Sequence, residues 1–348
     1  MNTIYIRTLK NAEHTVFCVQ DGQKTYYDPK AGQYVPYSSG QQIKRSILDA
    51  LNAALNTAGS PTTFLWDVTK KGELKEGEVY ATCNPTYADQ LFGGWMKAAK
   101  GGKEKTLKRR SPFSISAMRA LHPKLTSTTR EDISFDRSDR SNNNIIVRDA
   151  GGKVMSEEAI QELLSGKDRS LRRKWIPDNR RASGLFVQDI AIDLRRLFSV
   201  TLNPFEPEIT PEVEALLREQ GWIESENIFG KCLVAPKEIR NKWIPAIIDA
   251  ILNWRITSNQ SRTFSLMETL AVTVSENANK IASSIRTKMT EEEKIKPVIA
   301  ENMRGVKSFI TLPAAGYTLT TTEDEDALDK ARDYLIDQLT AFDYENQL

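Results

Sequence analysis

One segment restricts the fold of this chain more than any other. From Trp243 to Trp254, Ile244, Ile247, Ile248, Ile251 and Leu252 recur at helical spacing and make one apolar face. Such a helix must pack on an apolar surface, and nearby segments can supply it. Leu270 to Val274 reads as a strand, and Leu185-Phe186-Val187 and Ile190-Ala191-Ile192 alternate about Gln188 and Asp189 as a buried strand does. The N-terminal region shows the same pairing. Residues 3–9 and 14–20 read as short strands, and a Gly- and Pro-punctuated loop runs from Asp28-Pro29 through Gly40. Gln41 to Thr57 then reads as a helix, with Ile43, Ile47, Leu51 and Leu55 at helical spacing and Ser39 as its cap. Phe64-Leu65-Trp66 begins a further strand. Glu323 to Phe342 forms a last amphipathic helix carrying Leu328, Ala331, Leu335 and Leu339.

Two stretches interrupt this order. Residues 67–182 show little periodicity and are broken by Gly93-Gly94, Gly101-Gly102 and Gly151-Gly152, which predicts an insertion of short helices and mobile loops. A smaller insertion after Gly184 is punctuated by Pro204, Pro207 and Pro211 and holds one helix, Pro211 to Gln220. What remains reads strand, strand, helix, strand, strand, helix, strand. That is an α+β order compatible with a ferredoxin-like or RNA-recognition-like sheet.

The 348 residues suffice for one large core or two modest ones, and 40% apolar with 27% charged residues is ordinary for a globular protein. The formal net charge is only +2, but its distribution is uneven. Seven basic residues lie between Lys97 and Arg110 against Glu104, and seven more between Lys167 and Arg181 against Asp168 and Asp178. The last thirty residues carry nine acids against Lys330 and Arg332. The asymmetry suggests separate electropositive surfaces, or else solvated loops and helix faces. Cys18, Cys83 and Cys232 are too far apart for a zinc spacing or a disulfide framework, which fits a reducing, cytoplasmic setting. No apolar run of about 18 residues predicts a membrane span. No Walker lysine loop or HExxH motif occurs, and no cofactor or metal is expected. His14 and His122 are the only histidines, which thins the options for acid–base catalysis.

Two short motifs suit a phosphate backbone. Ser38-Ser39-Gly40-Gln41-Gln42-Ile43-Lys44-Arg45 leads small polar residues into a helix whose first turns carry two amides and two cations. A helix N-terminus offers free N–H groups and a positive dipole end, where Lys44 and Arg45 are unfavourable unless an anion is near. The alternative is a capped helix with a solvated basic pair. The polar turn Asn259-Gln260-Ser261-Arg262 after the Trp243–Trp254 helix is the second motif, its alternative being simple turn chemistry.

In their order these motifs resemble the backbone subunit of type I CRISPR Cascade complexes, the Cas-seven family of the RAMP superfamily. Four landmarks spanning roughly residues 40 to 275 carry the resemblance. They are Ser38 to Arg45; Ser114 to Pro123 with Phe135-Asp136-Arg137; Gly184-Leu185-Phe186 leading to Ile192-Asp193-Leu194; and the helix to Trp254 closing on Asn259 to Arg262. The resemblance implies an RNA-recognition-motif-like palm of residues 1–66, 183–199 and 241–348, with a helical fingers insertion (67–182) and a thumb insertion (200–240). It implies a cytoplasmic, non-enzymatic subunit that binds the CRISPR guide RNA, stacks with copies of itself in a helical filament, and supports recognition of target DNA beside a large subunit and a RAMP cap subunit. RNA contacts would fall on Ser38, Ser39, Gln41 or Gln42, Lys44, Arg45 and on Asn259, Gln260, Ser261 and Arg262. The basic residues Lys105, Lys108, Arg109 and Arg110 of the fingers would meet target DNA. Gly40 departs from the usual polar run, and the thumb-side turn carries Ser258 and Asn259 in place of glycines. Two enzymatic alternatives are a target-RNA nuclease using a loop aspartate, Asp21 or Asp28, and a guide-processing endoribonuclease using His14.

Overall fold

The computed structural model describes residues 2–17, 23–98, 105–136, 144–167, 171–256 and 265–348, with side chains of 131–136 and 173–179 outside that description. Strand β1 (Thr3–Thr15) is followed by the hairpin β2 (Thr25–Asp28) and β3 (Gln33–Ser38), then helix α1 (Gly40–Ala54). A second hairpin, β4 (Thr62–Val68) with β5 (Leu74–Ala81), precedes helix α2 (Ala88–Gly93) and the pair β6 (Trp95–Lys97) and β7 (Leu107–Arg109). Next come β8 (Phe113–Ile115), β9 (Met118–Ala120), β10 (Thr126–Asp136), α3 (Glu157–Leu164) and β11 (Arg173–Asp193). The segment expected as thumb follows α4 (Leu194–Leu197) and holds β12 (Ser199–Thr201), α5 (Pro211–Glu219), β13 (Ile223–Asn227) and β14 (Gly230–Val234). The chain closes with α6 (Lys237–Asn253), β15 (Glu268–Ser275), α7 (Ala278–Ser284), β16 (Ile285–Met289), β17 (Ile295–Ile299), β18 (Lys307–Ile310), α8 (Ala314–Tyr317) and α9 (Ala327–Thr340).

The chain divides into two compact units, residues 1–127 with 182–348, and residues 128–181. The second contains most of β10, the start of β11 and α3, which is capped by Ser156 accepting from the Ala159 N–H at 3.3 Å. The stretch expected as one helical insertion holds more strand than helix. Its described helices are α2, α3 and a single 3-10 turn at Pro123–Leu125, and 67–127 belongs to the first unit. Strands of three residues are too short to show the period-2 alternation by which a sequence announces them.

The main sheet runs in the order β18-β15-β1-β11-β9-β3-β2, with β8 also on β11. Its centre is antiparallel. β1 pairs with β11 in the register Ile4↔Ile192, Ile6↔Ile190, and with β15 through Ile6↔Val274. Side chains alternate between faces. On one face Ile4, Ile6, Phe186, Ile190, Ile192, Val272 and Val274 join Ile43, Ile47 and Leu51 of α1 and Ile247 and Ile251 of α6 in the large core. On the other, Leu9, Leu185 and Val187 join a smaller core with Ile285, Ile299, Ile310 and Ala314. The three-stranded sheet β12-β14-β13 stands apart from the main one. No described helix is long and apolar enough to cross a membrane.

Two expectations shift. The two short strands expected over 3–9 and 14–20 are one strand to Thr15, with an irregularity between Ala12 and Thr15 where His14 takes φ 43°. The expected loop from Asp28 through Gly40 contains β3, so Tyr27↔Tyr34 and Tyr26↔Val35 face each other across a hairpin. The hairpin β4–β5 is unusual in its wetness. Phe64, Trp66, Val68, Leu74 and Val79 are each more than half exposed, and Phe64↔Val79 and Val68↔Leu74 are direct cross-strand pairs.

Lys10 lies inside the core-facing row of β1. Its Nζ donates to Thr269 Oγ1 at 2.8 Å and sits 5.2 Å from the Trp254 ring centroid. Burial pushes the ammonium down to about 8 from 10.5. A lysine depressed in the folded state carries its full penalty below pH 8, and the penalty fades as pH rises toward 10.5. The stability of the wild type relative to Lys10→Met is therefore expected to rise across that interval. Denaturant midpoints of both proteins at a series of pH values check this; parallel curves would show that the ammonium is hydrated.

Candidate nucleic-acid interface

Helix α1 begins as the sequence predicts. Ser39 Oγ accepts from the Gln42 N–H at 3.3 Å and the Ser39 carbonyl from the Ile43 N–H at 3.1 Å, so of the first N–H groups those of Gly40 and Gln41 are the ones without an intrahelical acceptor. The position before the cap differs from expectation. Ser38 is fully buried and its hydroxyl donates to the Phe17 carbonyl at 3.0 Å, so it anchors β3 and is not presented to solvent. Gly40 has a steric reason. A Cβ there would lie 2.5 Å from the Ile115 carbonyl oxygen and 3.2 Å from the Ser116 carbonyl carbon, so the helix start abuts the backbone between β8 and β9.

The side chains that follow divide their roles. Gln41 is exposed, whereas Gln42 is half-buried and directs Nε2 to Ser46 Oγ at 3.4 Å. Arg45 is exposed and pairs with Asp49 at 3.0 Å, an i,i+4 contact worth a few tenths of a kcal/mol. Lys44 is half-buried and has no hydrogen-bond or ion-pair partner among the described residues, and burial pushes it down to about 8. The helix carries no acid in its first turn. Every other described helix of eight or more residues does: Glu157 and Glu158 in α3, Glu212 and Glu214 in α5, Glu238 in α6, and Asp329 in α9. Among the described helices of eight or more residues, α1 alone has a positive dipole end without a first-turn counter-charge, and an ammonium with no described partner lies beside it.

The second RNA motif, Asn259, Gln260, Ser261 and Arg262, lies outside the described residues, as does Asp21. The basic segment around 105–110 is partly strand. β7 pairs with β6 through Met96↔Lys108 and Trp95↔Arg109, so successive side chains face opposite ways. Lys105, Lys108 and Arg110 are exposed, and Lys105 Nζ reaches the Pro204 carbonyl at 2.6 Å. Arg109 points inward, which removes it from the expected DNA-contacting set. Its guanidinium is buried, pairs with Glu208 at 3.0 Å, and donates to the carbonyls of Ser199 (2.6 Å), Leu91 (3.1 Å) and Arg196 (2.8 Å). Asp28 accepts from the Lys30 and Ala31 N–H groups within its turn, and His122 Nδ1 accepts from the Lys124 N–H at 3.1 Å. No group of three or more His, Cys, Asp or Glu positioned for a metal occurs among the described residues.

One charged cluster was not legible in the sequence. Arg7 and Asp189, opposite each other on β1 and β11, make a two-point ion pair at 2.6 and 3.1 Å, and Arg119 approaches the same carboxylate at 3.3 Å. The alternation of 185–192 breaks at two polar residues, Gln188 and Asp189, and nothing local distinguishes them or names the partners of Asp189.

No protein-family model and no curated protein sequence matches the chain. Solved structures do. A chain of a "CRISPR RNA-guided surveillance complex, pre-nicking" is similar at 10% identity and TM-score 0.45, over 97% of this chain and 87% of that one. A chain of a "CRISPR RNA-guided surveillance complex" is similar at 12% identity and TM-score 0.42, over 95% and 99%. At that level the likeness transfers no residue roles.

The division between Lys108 and Arg109 is open to direct measurement. Arg109→Ala takes from the buried Glu208 its nearest cation, leaving Arg196 at 3.8 Å and the Thr201 N–H, and is expected to cost about 3 kcal/mol, while Lys108→Ala should fall within about 0.5 kcal/mol of wild type. Urea unfolding of the two variants checks it, and equal losses would place Arg109 at the surface.

Proposed function

We infer that this chain is the guide-RNA-binding backbone subunit of a Cascade-type CRISPR surveillance complex, a non-catalytic scaffold that repeats along the RNA. The observation that carries this reading is the start of α1, where first-turn N–H groups, the exposed Gln41 and the unpaired Lys44 meet with no acid to neutralise them. A phosphate supplies the missing charge and accepts from the same groups, whatever the base it carries. The topology supports it. β1, α1, the β8–β9 segment, β11, α6 and β15 follow one another as strand, helix, strand, strand, helix, strand. Their sheet order, β15-β1-β11-β9, is that of a ferredoxin-like or RNA-recognition-like sheet. On this reading the palm holds the RNA, residues 200–240 form the thumb, copies stack as a filament beside the other complex subunits, and exposed Lys105, Lys108 and Arg110 meet target DNA. The turn-capping role of Asp28 supports a scaffold over a nuclease.

Lys44→Ala with Arg45→Ala is expected to weaken guide binding alike for all spacer sequences and to reduce the salt slope by about 0.7 per lost contact. Wild-type affinity should also fall as pH rises through about 8, because binding then requires Lys44 to take up a proton. The Lys44→Ala protein should lack that inflection. Titrations of several spacers against salt and pH read both effects, and a loss confined to particular spacers would contradict phosphate recognition.

Replacing Lys105, Lys108 and Arg110 by Ala should leave guide loading intact and slow capture of target DNA at low salt. Stopped-flow association of the loaded complex measures it. Capture at the wild-type rate, or a complex stripped of its guide, would contradict the assignment.

A further inference from the structure

The sheet face opposite α1 and α6 carries a row of side chains that the phosphate site does not use. Directly paired strand residues place their side chains on the same face. Tyr37 of β3 pairs with Arg119 of β9, Arg119 pairs with Val187 of β11, and Asp189, two residues on, pairs with Arg7 of β1. Tyr26 extends the row outward, its ring meeting that of Tyr37 edge-on at 5.7 Å. The row therefore runs Tyr26, Tyr37, Arg119, Asp189, Arg7. Its inner end is closed and its outer end is open. Arg7 is buried and held by Asp189 and by the Ile285 carbonyl at 3.3 Å, whereas the Arg119 side chain is 43% exposed and Tyr26 is 37% exposed.

Charge and placement indicate what the open end receives. Two guanidiniums share one carboxylate, so the trio keeps a net positive charge, and the exposed member is the one beside the tyrosines. The row also borders the start of α1. The hydroxyl of Ser116, against which Gly40 packs, donates to the Ala117 carbonyl at 2.9 Å and accepts from the Asp189 N–H at 2.9 Å. A separate cavity of about 420 Å³ lies beside the inner end, lined by Tyr5, Arg7, Ser114, Ser116, Asp189 and Ala191 among others and by none of Tyr26, Tyr37 and Arg119. Aromatic rings next to an exposed guanidinium are the chemistry that holds single-stranded nucleic acid, because every base has a face to stack and every linkage has a charge.

We propose that Tyr26, Tyr37 and Arg119 form a stacking subsite for single-stranded RNA, with a base on the exposed tyrosine surface and the adjoining phosphate on Arg119. The subsite rests on the reading of α1 as a phosphate site and extends it along the strand. It adds affinity for bases without selecting among them, since stacking tolerates any base.

The test compares a labelled polyuridine strand with an abasic strand of equal length by fluorescence anisotropy on the full chain. Wild type is expected to prefer the base-bearing strand by roughly tenfold. Tyr26→Leu with Tyr37→Leu should remove the preference and leave abasic binding unchanged, and Tyr26→Phe with Tyr37→Phe should restore it, which separates ring loss from misfolding. Arg119→Gln should weaken both strands together. If wild type binds the abasic strand as tightly as polyuridine while both remain sensitive to Lys44→Ala, the stacking subsite is refuted and the phosphate site stands. If neither strand binds, the phosphate reading fails and the subsite fails with it.

Discussion

Pairing of the first strand with the strand near residue 190 governs the rest of the molecule. β1 and β11 meet antiparallel over Thr3↔Asp193 to Ala12↔Gly184, joining segments about half the chain apart. Because side chains alternate with period 2, this register decides which residues enter the large core and which face the other way. Ile6 and Ile190 go to α1 and α6, and Arg7 and Asp189 go to the opposite face. A slip of one residue would bury the ion pair under the helices and expose the isoleucines. The polar groups proposed for RNA are thus placed by the same register that builds the apolar core.

Helices and their ends were the legible part of the sequence. The apolar faces at 41–57 and 243–254 and the Ser39 cap are local patterns; the structure realises the first as Gly40–Ala54, and the second begins six residues earlier than its apolar face, at Lys237. Pairings across long separations were not legible. The burial of Arg109 depends on Glu208, 99 positions away, and inside a run of seven cations Arg109 looks like its neighbours. Only strand alternation, Leu107 in, Lys108 out, Arg109 in, distinguishes it, and three residues are too few to reveal a period. The tyrosines of β2 and β3 were hidden for a related reason. Asp28-Pro29 and the nearby glycines read as loop, and they are in fact the turn of a hairpin whose strands carry Tyr26 and Tyr37.

The phosphate site and the sheet share a boundary made of backbone. With no side chain at position 40, the start of α1 rests on main-chain atoms of Ile115 and Ser116. Ser116 is in turn tied to Asp189 in both directions, by its own N–H at 2.9 Å and by its hydroxyl at 2.9 Å. The helix N–H groups are therefore positioned by close main-chain packing together with two short, hydrogen-bonded serine side chains, Ser39 and Ser116. That is the kind of support a recognition site needs if its geometry is to be fixed before the ligand arrives.

The β4–β5 hairpin has a different physical character. Two strands alone are marginally stable in water, and these present Phe64, Trp66, Val68, Leu74 and Val79 to solvent. At about 25 cal/mol for each Å² of apolar surface, the free energy withheld from the fold there is available to any surface that covers the ribbon. Until something does, the same residues are a hazard. An uncovered apolar ribbon with unpaired edges recruits further strands, so the solubility of the lone chain is limited by a part of the molecule that contributes little to its core.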